Sequence, residues 1–250
     1  MIRLFYFLGI CAVALLGFGL GSGYLPRKGG VKTAAGIHPE REFPLREYKS
    51  FAIALFAHND ASWCERTLNS IFSQDYEHFR VLFIDDGSRD DTYERVKNFV
   101  VANQQEHRVI LMQNEKQMGT LSSLRRIAGY CQDGEIMVPL LLSDWFTHPN
   151  VLSSLNGAFQ NPDVWIVCGK SLGYPSYEFL ELPDWTNKKK SFSDYQGLRA
   201  FYAALLKQLP EQNESIKNFS LIPLLELSGG RIKNVPEPLS FHNNVLANPR

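Results

Sequence analysis

A short apolar run that ends at two adjacent carboxylates is the feature that most constrains this chain. Residues 81–84 are apolar, Asp85 and Asp86 follow them, and an amphipathic helical pattern begins after Gly87 and Ser88. This order predicts a buried strand that carries acids to the edge of a sheet, where open α/β folds place their ligands. Carboxylates there can accept hydrogen bonds from a base or a ribose, or can hold a divalent cation. The alternative is a simple helix start, in which the acids only complement the helix dipole.

Strand and helix patterns alternate through the first half of the chain. Predicted strands lie at residues 51–57, 81–84, 108–112 and 135–142, and predicted helices lie at 61–74, 91–103 and 121–131. Short links between such elements imply right-handed crossovers between parallel strands. We therefore predict an α/β domain with a wound, mostly parallel sheet and helices on both faces.

The second half of the chain has a weaker pattern. Predicted helices lie at residues 151–159, 195–208 and 215–227, and predicted strands lie at 164–168 and 231–235. A polar and aromatic stretch at 173–191 separates two of these elements. Tyr174, Tyr177 and Trp185 lie in it, and Trp145 lies well before it. Because aromatic rings match the apolar faces of sugars, these four side chains are candidates for stacking on a sugar; packing within a loop is the alternative.

An apolar segment opens the chain. No charged residue lies between Leu4 and Leu25, and a helix of that length would extend about 33 Å, enough to cross a hydrocarbon core of roughly 30 Å. We predict an uncleaved membrane anchor at residues 1–25, a linker at 26–49 and one globular domain at 50–250. More basic residues follow the span than precede it, which places the domain in the cytoplasm. A cleaved signal, leaving a secreted protein, is the alternative.

Composition excludes several classes of protein. The 26 basic residues equal the 26 acidic residues, and no basic aromatic face suggests binding to nucleic acid. The four cysteines are far apart and show no metal-ligand spacing, so we expect packed thiols. Walker loops, dinucleotide-binding glycine motifs, serine nucleophile elbows and His-Glu-x-x-His helices do not occur.

The order of motifs in residues 50–244 resembles that of family 2 glycosyltransferases. The matching pieces are Asn59, the run 66–71, Gln74, the run 81–92 with its Asp-Asp-Gly-Ser element, Gly119, the run 133–136, the run 143–145, and His148 with Pro149. The resemblance implies a nucleotide-diphospho-sugar transferase-like fold of the glycosyltransferase A type. It also implies transfer of a sugar from a nucleotide-activated donor to a glycan or lipid-linked acceptor.

The resemblance further implies roles for residues at the ends of the predicted strands. Phe56 and His58 at the end of the first strand, with Asp85 and Asp86 at the end of the second, would bind the nucleotide of the donor. Asp144 would bind a divalent cation, Mg²⁺ or Mn²⁺. Such a cation neutralises the negative charge that develops on the departing diphosphate.

This chain departs from the family's pattern at two positions. The leading acid of the cation-binding motif is replaced by Leu141 or Leu142, depending on the register. The family position of the catalytic base falls on Asn218, next to Lys217, and an amide has no useful basicity. Nearby acids without the matching spacing are Asp184, Glu214 and Glu226. The catalytic residue is therefore not assigned, and an inactive domain that binds a nucleotide, a glycan or a protein partner is the alternative.

Overall fold

The computed structural model describes residues 47–180, 197–209 and 222–245. Within these residues, a single nine-stranded mixed sheet forms the centre of the fold. The predicted anchor at residues 1–25 and most of the predicted linker at 26–49 lie outside the described residues. No helix among the described residues is long and apolar enough to cross a bilayer.

The first half of the sheet consists of parallel strands with intervening helices. The strands are β1 (Phe51–Ala57), β2 (Phe79–Asp85), β3 (Val109–Gln113) and β4 (Ile136–Leu141). The helices are α1 (Cys64–Phe72), α2 (Thr92–Ala102) and α3 (Thr120–Ala128), and a 3₁₀ turn at Ala61–Trp63 precedes α1. The strands lie in the order β3-β2-β1-β4, as expected for right-handed crossover units.

Burial explains why these strands are continuous apolar runs. All seven residues of β1 are buried, so both faces of this strand are covered. On α1, the buried residues Cys64, Thr67, Leu68 and Ile71 recur at three- and four-residue spacing, which places them on one helix face. This half of the fold agrees with the predicted elements to within a few residues.

The second half of the sheet is largely antiparallel. It contains β5 (Trp145–Phe146), β6 (Ile166–Tyr174), β7 (Phe179–Leu180), β8 (Arg199–Tyr202) and β9 (Ile232–Asn243), with helices α4 (Val151–Phe159), α5 (Ala203–Lys207) and α6 (Ile222–Leu227). Strand β8 lies antiparallel between β4 and β6, β9 is parallel to β6, and β5 is antiparallel to β9. The prediction of a mostly parallel sheet is therefore correct for β1–β4 and for the β6–β9 pair, and wrong for β5, β7 and β8, which are antiparallel to their neighbours.

Two predicted elements are corrected by strand pairing. The helix predicted at residues 195–208 is instead strand Arg199–Tyr202 followed by the short helix Ala203–Lys207. All four residues of this strand are buried, and pairing on both sides outweighs their local helical pattern. The strand predicted at 231–235 extends to Asn243, and its register against β6 shifts near its two prolines, which cannot donate to the ladder.

Helix α1 fixes the segment that follows β4. The Thr67 hydroxyl lies 2.6 Å from the carbonyl oxygen of Leu142 and 2.9 Å from that of Asp144. The Gln74 side-chain amide donates to the His148 carbonyl over 2.9 Å and accepts from the Leu152 N–H over 3.1 Å. Because Thr67 and Gln74 are both buried, these bonds hold the segment carrying Asp144 rigidly against the sheet.

Candidate functional site

The carboxyl ends of the four parallel strands meet at one edge of the sheet. Ala57 lies opposite Asp85, Asp85 lies opposite Gln113, and Phe56 lies opposite Leu141. The loops that follow these strands are therefore neighbours, and this is the edge at which open α/β sheets bind ligands. The candidate site is built from these loops.

Asp85 is engaged entirely by protein donors. Its side chain is fully buried. One carboxylate oxygen accepts from the Ser88 N–H over 3.2 Å and from the Ser88 hydroxyl, and the other accepts from the Gln113 side-chain amide over 3.0 Å. A ligand could reach this carboxylate only if Ser88 or Gln113 moved.

Asp86 closes the loop between β3 and α3. Its carboxylate accepts hydrogen bonds from Asn114 Nδ2 (2.7 Å), the Met118 N–H (2.8 Å) and the Gly119 N–H (2.9 Å). Gly119 is the N-cap of α3 and has a positive φ of 89°. The carboxylate therefore sits at the positive end of this helix and satisfies donors that the helix leaves unpaired.

The glycine that follows Asp86 allows this loop to approach. Gly87 has a φ of 71°, and a Cβ at this position would lie 2.7 Å from both Gln117 N and the Lys116 carbonyl carbon. A side chain there would collide with backbone atoms that cannot move independently. The Asp-Asp-Gly-Ser element is thus a structural unit that holds β2, β3 and the start of α3 together.

Phe56 and His58 differ in accessibility. Phe56 is buried in the core between its partners Ile84 and Leu141. His58 is half-buried, with Nδ1 lying 2.9 Å from the Asp86 carbonyl oxygen. Of the two, the imidazole of His58 is the group that borders the loop edge. A nucleotide-binding role for either residue stays a prediction.

The loop after β1 is tied to the loop after β2. Asn59 adopts a left-handed conformation with a φ of 60°, its N–H donates to Ser88 Oγ, and its Oδ1 accepts from the Arg89 N–H. The Asp60 N–H donates to Thr92 Oγ1 over 2.9 Å. Because each contact crosses between loops, residues 58–60 and 85–92 form one continuous rim.

Asp60 is a site residue that the sequence patterns did not single out. Burial raises the pKa of its carboxyl group, a hydrogen bond from the His58 N–H opposes this shift, and the negative charges of Asp90 and Asp144 raise the pKa further. Asp60 therefore lies within electrostatic range of Asp144. It lies in the loop three residues after the end of β1, so the signal is weaker than the one that marked Asp85 and Asp86.

Asp144 is paired with a residue from the far end of the chain. Its Oδ2 lies 3.1 Å from His242 Nδ1, and its Oδ1 accepts from the Asn243 N–H over 2.9 Å. The side chain of Asp144 is 14% exposed and that of His242 is 20% exposed. The pairing of β5 with β9 sets Trp145 opposite Phe241. Asp144, which precedes Trp145, is thereby brought next to His242, which follows Phe241. No local signal in the sequence could have identified His242.

The residues around Asp144 fit a divalent cation that is completed by other ligands. Among the described residues, no group of three His, Cys, Asp or Glu side chains could hold a metal ion by itself. Asp144 and His242 nevertheless place an oxygen and a nitrogen side by side, and His242 Nδ1 could bind a cation once its hydrogen bond to Asp144 is broken. Mg²⁺-type sites commonly use one or two protein ligands and take the rest from phosphates and water. This donor set is suited to a cation that arrives with a phosphorylated ligand.

Solvent exposure distinguishes the two candidate positions, Leu141 and Leu142, for the leading acid that the family's motif has and this chain lacks. Leu142 is fully buried, whereas Leu141 at the end of β4 is 41% exposed. An acid could reach a ligand only from the exposed position, so exposure favours the register in which Leu141 occupies the family's leading-acid position. Asp144 is then the last acid of the motif.

Several other predicted residues lie elsewhere. Lys217, Asn218, Asp184, Glu214 and Trp185 lie outside the described residues. Glu226 is exposed on α6. The described cysteines are free and buried, and burial raises the pKa of each thiol to about 12, as expected for packed thiols: Cys64, Cys131 and Cys168.

Comparison with known proteins agrees with this geometry. Residues 52–214 match the family model described as Glycosyl transferase family 2. No curated protein sequence matches the chain. The match includes the four parallel strands and the whole rim.

Two solved structures illustrate the similarity in fold. TarS 1–349 from S. aureus, in complex with UDP-GlcNAc, matches with a TM-score of 0.61 and 17% identity over 78% of this chain and 58% of that one. The mannosyltransferase PcManGT from Pyrobaculum calidifontis, in complex with GDP-Man and Mn²⁺, matches with a TM-score of 0.59 and 16% identity over 81% of this chain and 58% of that one. The chain thus spans less than two thirds of the length of either protein.

We expect Asp86→Asn to destabilise the ligand-free protein by about 1–3 kcal/mol, because an amide cannot accept from all three donors and leaves one unpaired. Chemical denaturation measures this free energy of unfolding. Asp91→Asn is the control, since Asp91 is exposed and its ion pair with Arg95 contributes little. Equal stability of both variants and the wild type would contradict a structural role for Asp86.

We expect Asp60→Asn to raise the melting temperature at pH 7. A raised pKa in the folded state means that the stabilising contribution of Asp60 is present below its ordinary value of 3.8 and is lost as the pH rises through the folded-state pKa. The variant avoids this loss, so its advantage should shrink as the pH falls towards about 4. Thermal melts across this range provide the measurement, with exposed Asp163→Asn as the control. A gain that does not change with pH would argue against this explanation.

Proposed function

Because this chain belongs to glycosyl transferase family 2, we propose that it transfers a sugar from a nucleotide-activated donor to a glycan or lipid-linked acceptor. The observation that carries the proposal is the pairing of Asp144 with His242 at the carboxyl edge of the parallel strands, with Asp60 close enough for its charge to be felt there. Two carboxylates at this edge would attract a cation.

The donor is proposed to be a nucleoside diphosphate sugar. TarS was solved with UDP-GlcNAc and PcManGT with GDP-Man and Mn²⁺, and both share the fold of this chain. The rim formed by residues 58–60 and 85–92 would receive the nucleotide. His58 and Asn59 border this rim, while Asp86 keeps the neighbouring loop closed.

A divalent cation is proposed to accompany the diphosphate. When bound, it would supply neutralisation of the charge that develops on the leaving diphosphate. Asp144 and His242 would hold it, and Asp60 would add to the negative potential that attracts it. The Asn243 N–H and the α1 hydrogen bonds keep the Asp144 segment in place, so the main rearrangement on cation binding would be the loss of the Asp144–His242 hydrogen bond.

A domain that binds the donor without turnover is the second candidate. It is favoured by Leu141, the exposed apolar residue at the position of a leading acid, and by Asn218 at the family position of the base. The two candidates share donor binding and differ only in donor consumption. Chromatographic detection of released nucleotide, lost on Asp144→Ala, would support the enzyme and reject the inactive domain.

We also propose that residues 1–25 anchor the domain to a membrane, with the domain in the cytoplasm. The absence of charged residues between Leu4 and Leu25 supports this arrangement. Such an anchor would bring the site close to lipid-linked acceptors. N-terminal sequencing of the membrane fraction should find the intact leader, and a mature chain that starts near Gly23 would establish cleavage instead.

We expect the protein to bind a UDP-sugar or GDP-sugar in calorimetric titrations with Mn²⁺ present, and to bind it more weakly after the cation is removed. Asp144→Ala and His242→Ala should each weaken Mn²⁺-dependent binding by about 10- to 100-fold, the range seen when a metal site loses a supporting group.

Matched controls are available on the surface. Asp163→Ala and His107→Ala remove the same side-chain types at exposed positions and should bind the donor normally. Melting curves verify that all four variants are folded. Wild-type protein that binds no nucleotide sugar in the presence of Mn²⁺ would refute the proposed function.

A further inference from the structure

A cluster of aromatic side chains lies beside the Asp144–His242 pair. We define the aromatic cluster by its five members: Trp63, Trp145, Tyr174, Tyr177 and Phe241. Trp145 directly follows Asp144, and Phe241 directly precedes His242. The cluster is therefore continuous with the proposed donor site.

Trp145 is the packed centre of this cluster. It is only 8% exposed and stacks against Trp63 and Phe241, with ring centroids 6.1 and 5.2 Å away. Tyr174 meets it edge-on at 5.2 Å. Because its faces are covered, Trp145 cannot stack on a sugar as the sequence had suggested. It instead supports the rings around it.

Tyr177 is the solvent-exposed ring of the cluster. Its side chain is 60% exposed, and the ring makes edge contacts with Tyr174 and Phe241 at interplanar angles of 79° and 86°. Two perpendicular neighbours fix the orientation of the ring while leaving it largely accessible to solvent. An aromatic platform of this kind matches the apolar face of a pyranose.

The backbone holds Tyr177 in an uncommon conformation. Its φ is 59°, in the left-handed region that bulky residues rarely adopt, and its N–H donates to the Gly173 carbonyl over 2.6 Å. Glycine or asparagine would fit this position with less strain. Non-glycine residues held in this way occur often at ligand-binding positions, and here the result is that an exposed ring stays in one orientation.

Arg66 places a positive charge on the same cluster. Its guanidinium carbon lies 4.4 Å from the Trp145 ring centroid and 5.1 Å from that of Tyr174. The residue is exposed, and within the described part of the chain its side chain forms no hydrogen bond or ion pair. Stacking restrains the guanidinium plane and leaves its N–H groups able to bind a planar carboxylate or a phosphate.

We propose that Tyr177 and Arg66 form the acceptor subsite and that the acceptor is an anionic glycan. A sugar ring of this glycan stacks on Tyr177, and its carboxylate or phosphate group accepts hydrogen bonds from Arg66. Both residues contact Tyr174, so one saccharide segment can reach both. The inference rests on the proposed function, because only a glycosyltransferase needs an acceptor beside its donor.

The test measures glycan binding directly, in the absence of nucleotide. The full chain is applied to an array that carries neutral, uronate-bearing and phosphate-bearing oligosaccharides of matched length, and the best binders are titrated by calorimetry. We expect binding to uronate-bearing or phosphate-bearing glycans and not to their neutral counterparts, and the two anionic arms identify which anion is used. Because the Arg66 guanidinium is exposed, glycan binding should weaken as salt is added.

Single substitutions then test the two residues. Arg66→Gln and Tyr177→Ala should each weaken anionic-glycan binding by at least about tenfold, whereas Tyr177→Phe, which keeps the ring, should retain it. Lys97→Gln removes an exposed charge from α2, and Tyr130→Ala removes a 49% exposed ring elsewhere; both should bind as the wild type does. Melting curves show whether each variant is folded.

Three results would overturn the assignment: no binding to any anionic glycan, equal binding to neutral glycans, or binding unchanged by both Arg66→Gln and Tyr177→Ala. Titration of the same variants with UDP-sugar or GDP-sugar and Mn²⁺ separates the two proposals. If Arg66→Gln weakens donor binding and leaves glycan binding intact, Arg66 belongs to the donor diphosphate and the acceptor subsite is rejected. Glycan binding without donor binding would refute the proposed function alone.

Discussion

The buried carboxylate of Asp86 is the constraint on which the candidate site depends. It gathers donors from Asn114, Met118 and Gly119, and it lies at the start of α3, where the helix has unpaired N–H groups. These hydrogen bonds help to hold the loop after β3 against Gly87. The nearest neighbour, Asp85, repeats the arrangement with Ser88 and Gln113. The two buried carboxylates thus determine how the loops are arranged at this edge of the sheet.

The residues of the proposed cation site come from different parts of the chain. Asp60 follows β1, Asp144 follows β4, and His242 belongs to β9. Burial disfavours a charged Asp60, and the nearby charges of Asp90 and Asp144 add to this cost. A cation bound beside these carboxylates, as we propose, would offset part of this electrostatic cost.

Sequence reasoning succeeded where structure is determined locally. The apolar runs of β1, β2 and β4 are recognisable because both faces of these strands are covered, and the position of Asp85 and Asp86 between a strand and a helix is confirmed, while their role in nucleotide binding stays a prediction. It failed for residues 199–202, whose strand conformation depends on pairing with β4 and β6, far away in sequence. It also missed the partners of the acids. Gln113, Gly119 and His242 become neighbours of these carboxylates only through the assembled sheet.

The contact between Asp144 and the end of β9 has a consequence for the order in which the molecule is completed during synthesis. Strands β1–β4 and their helices occupy residues 51–141, so this half can begin to assemble as soon as those residues have left the ribosome. Asp144 meets His242 and the Asn243 N–H only after a further stretch of about one hundred residues has been translated. A nascent chain therefore carries the sheet edge and its loops long before Asp144 and His242 can pair.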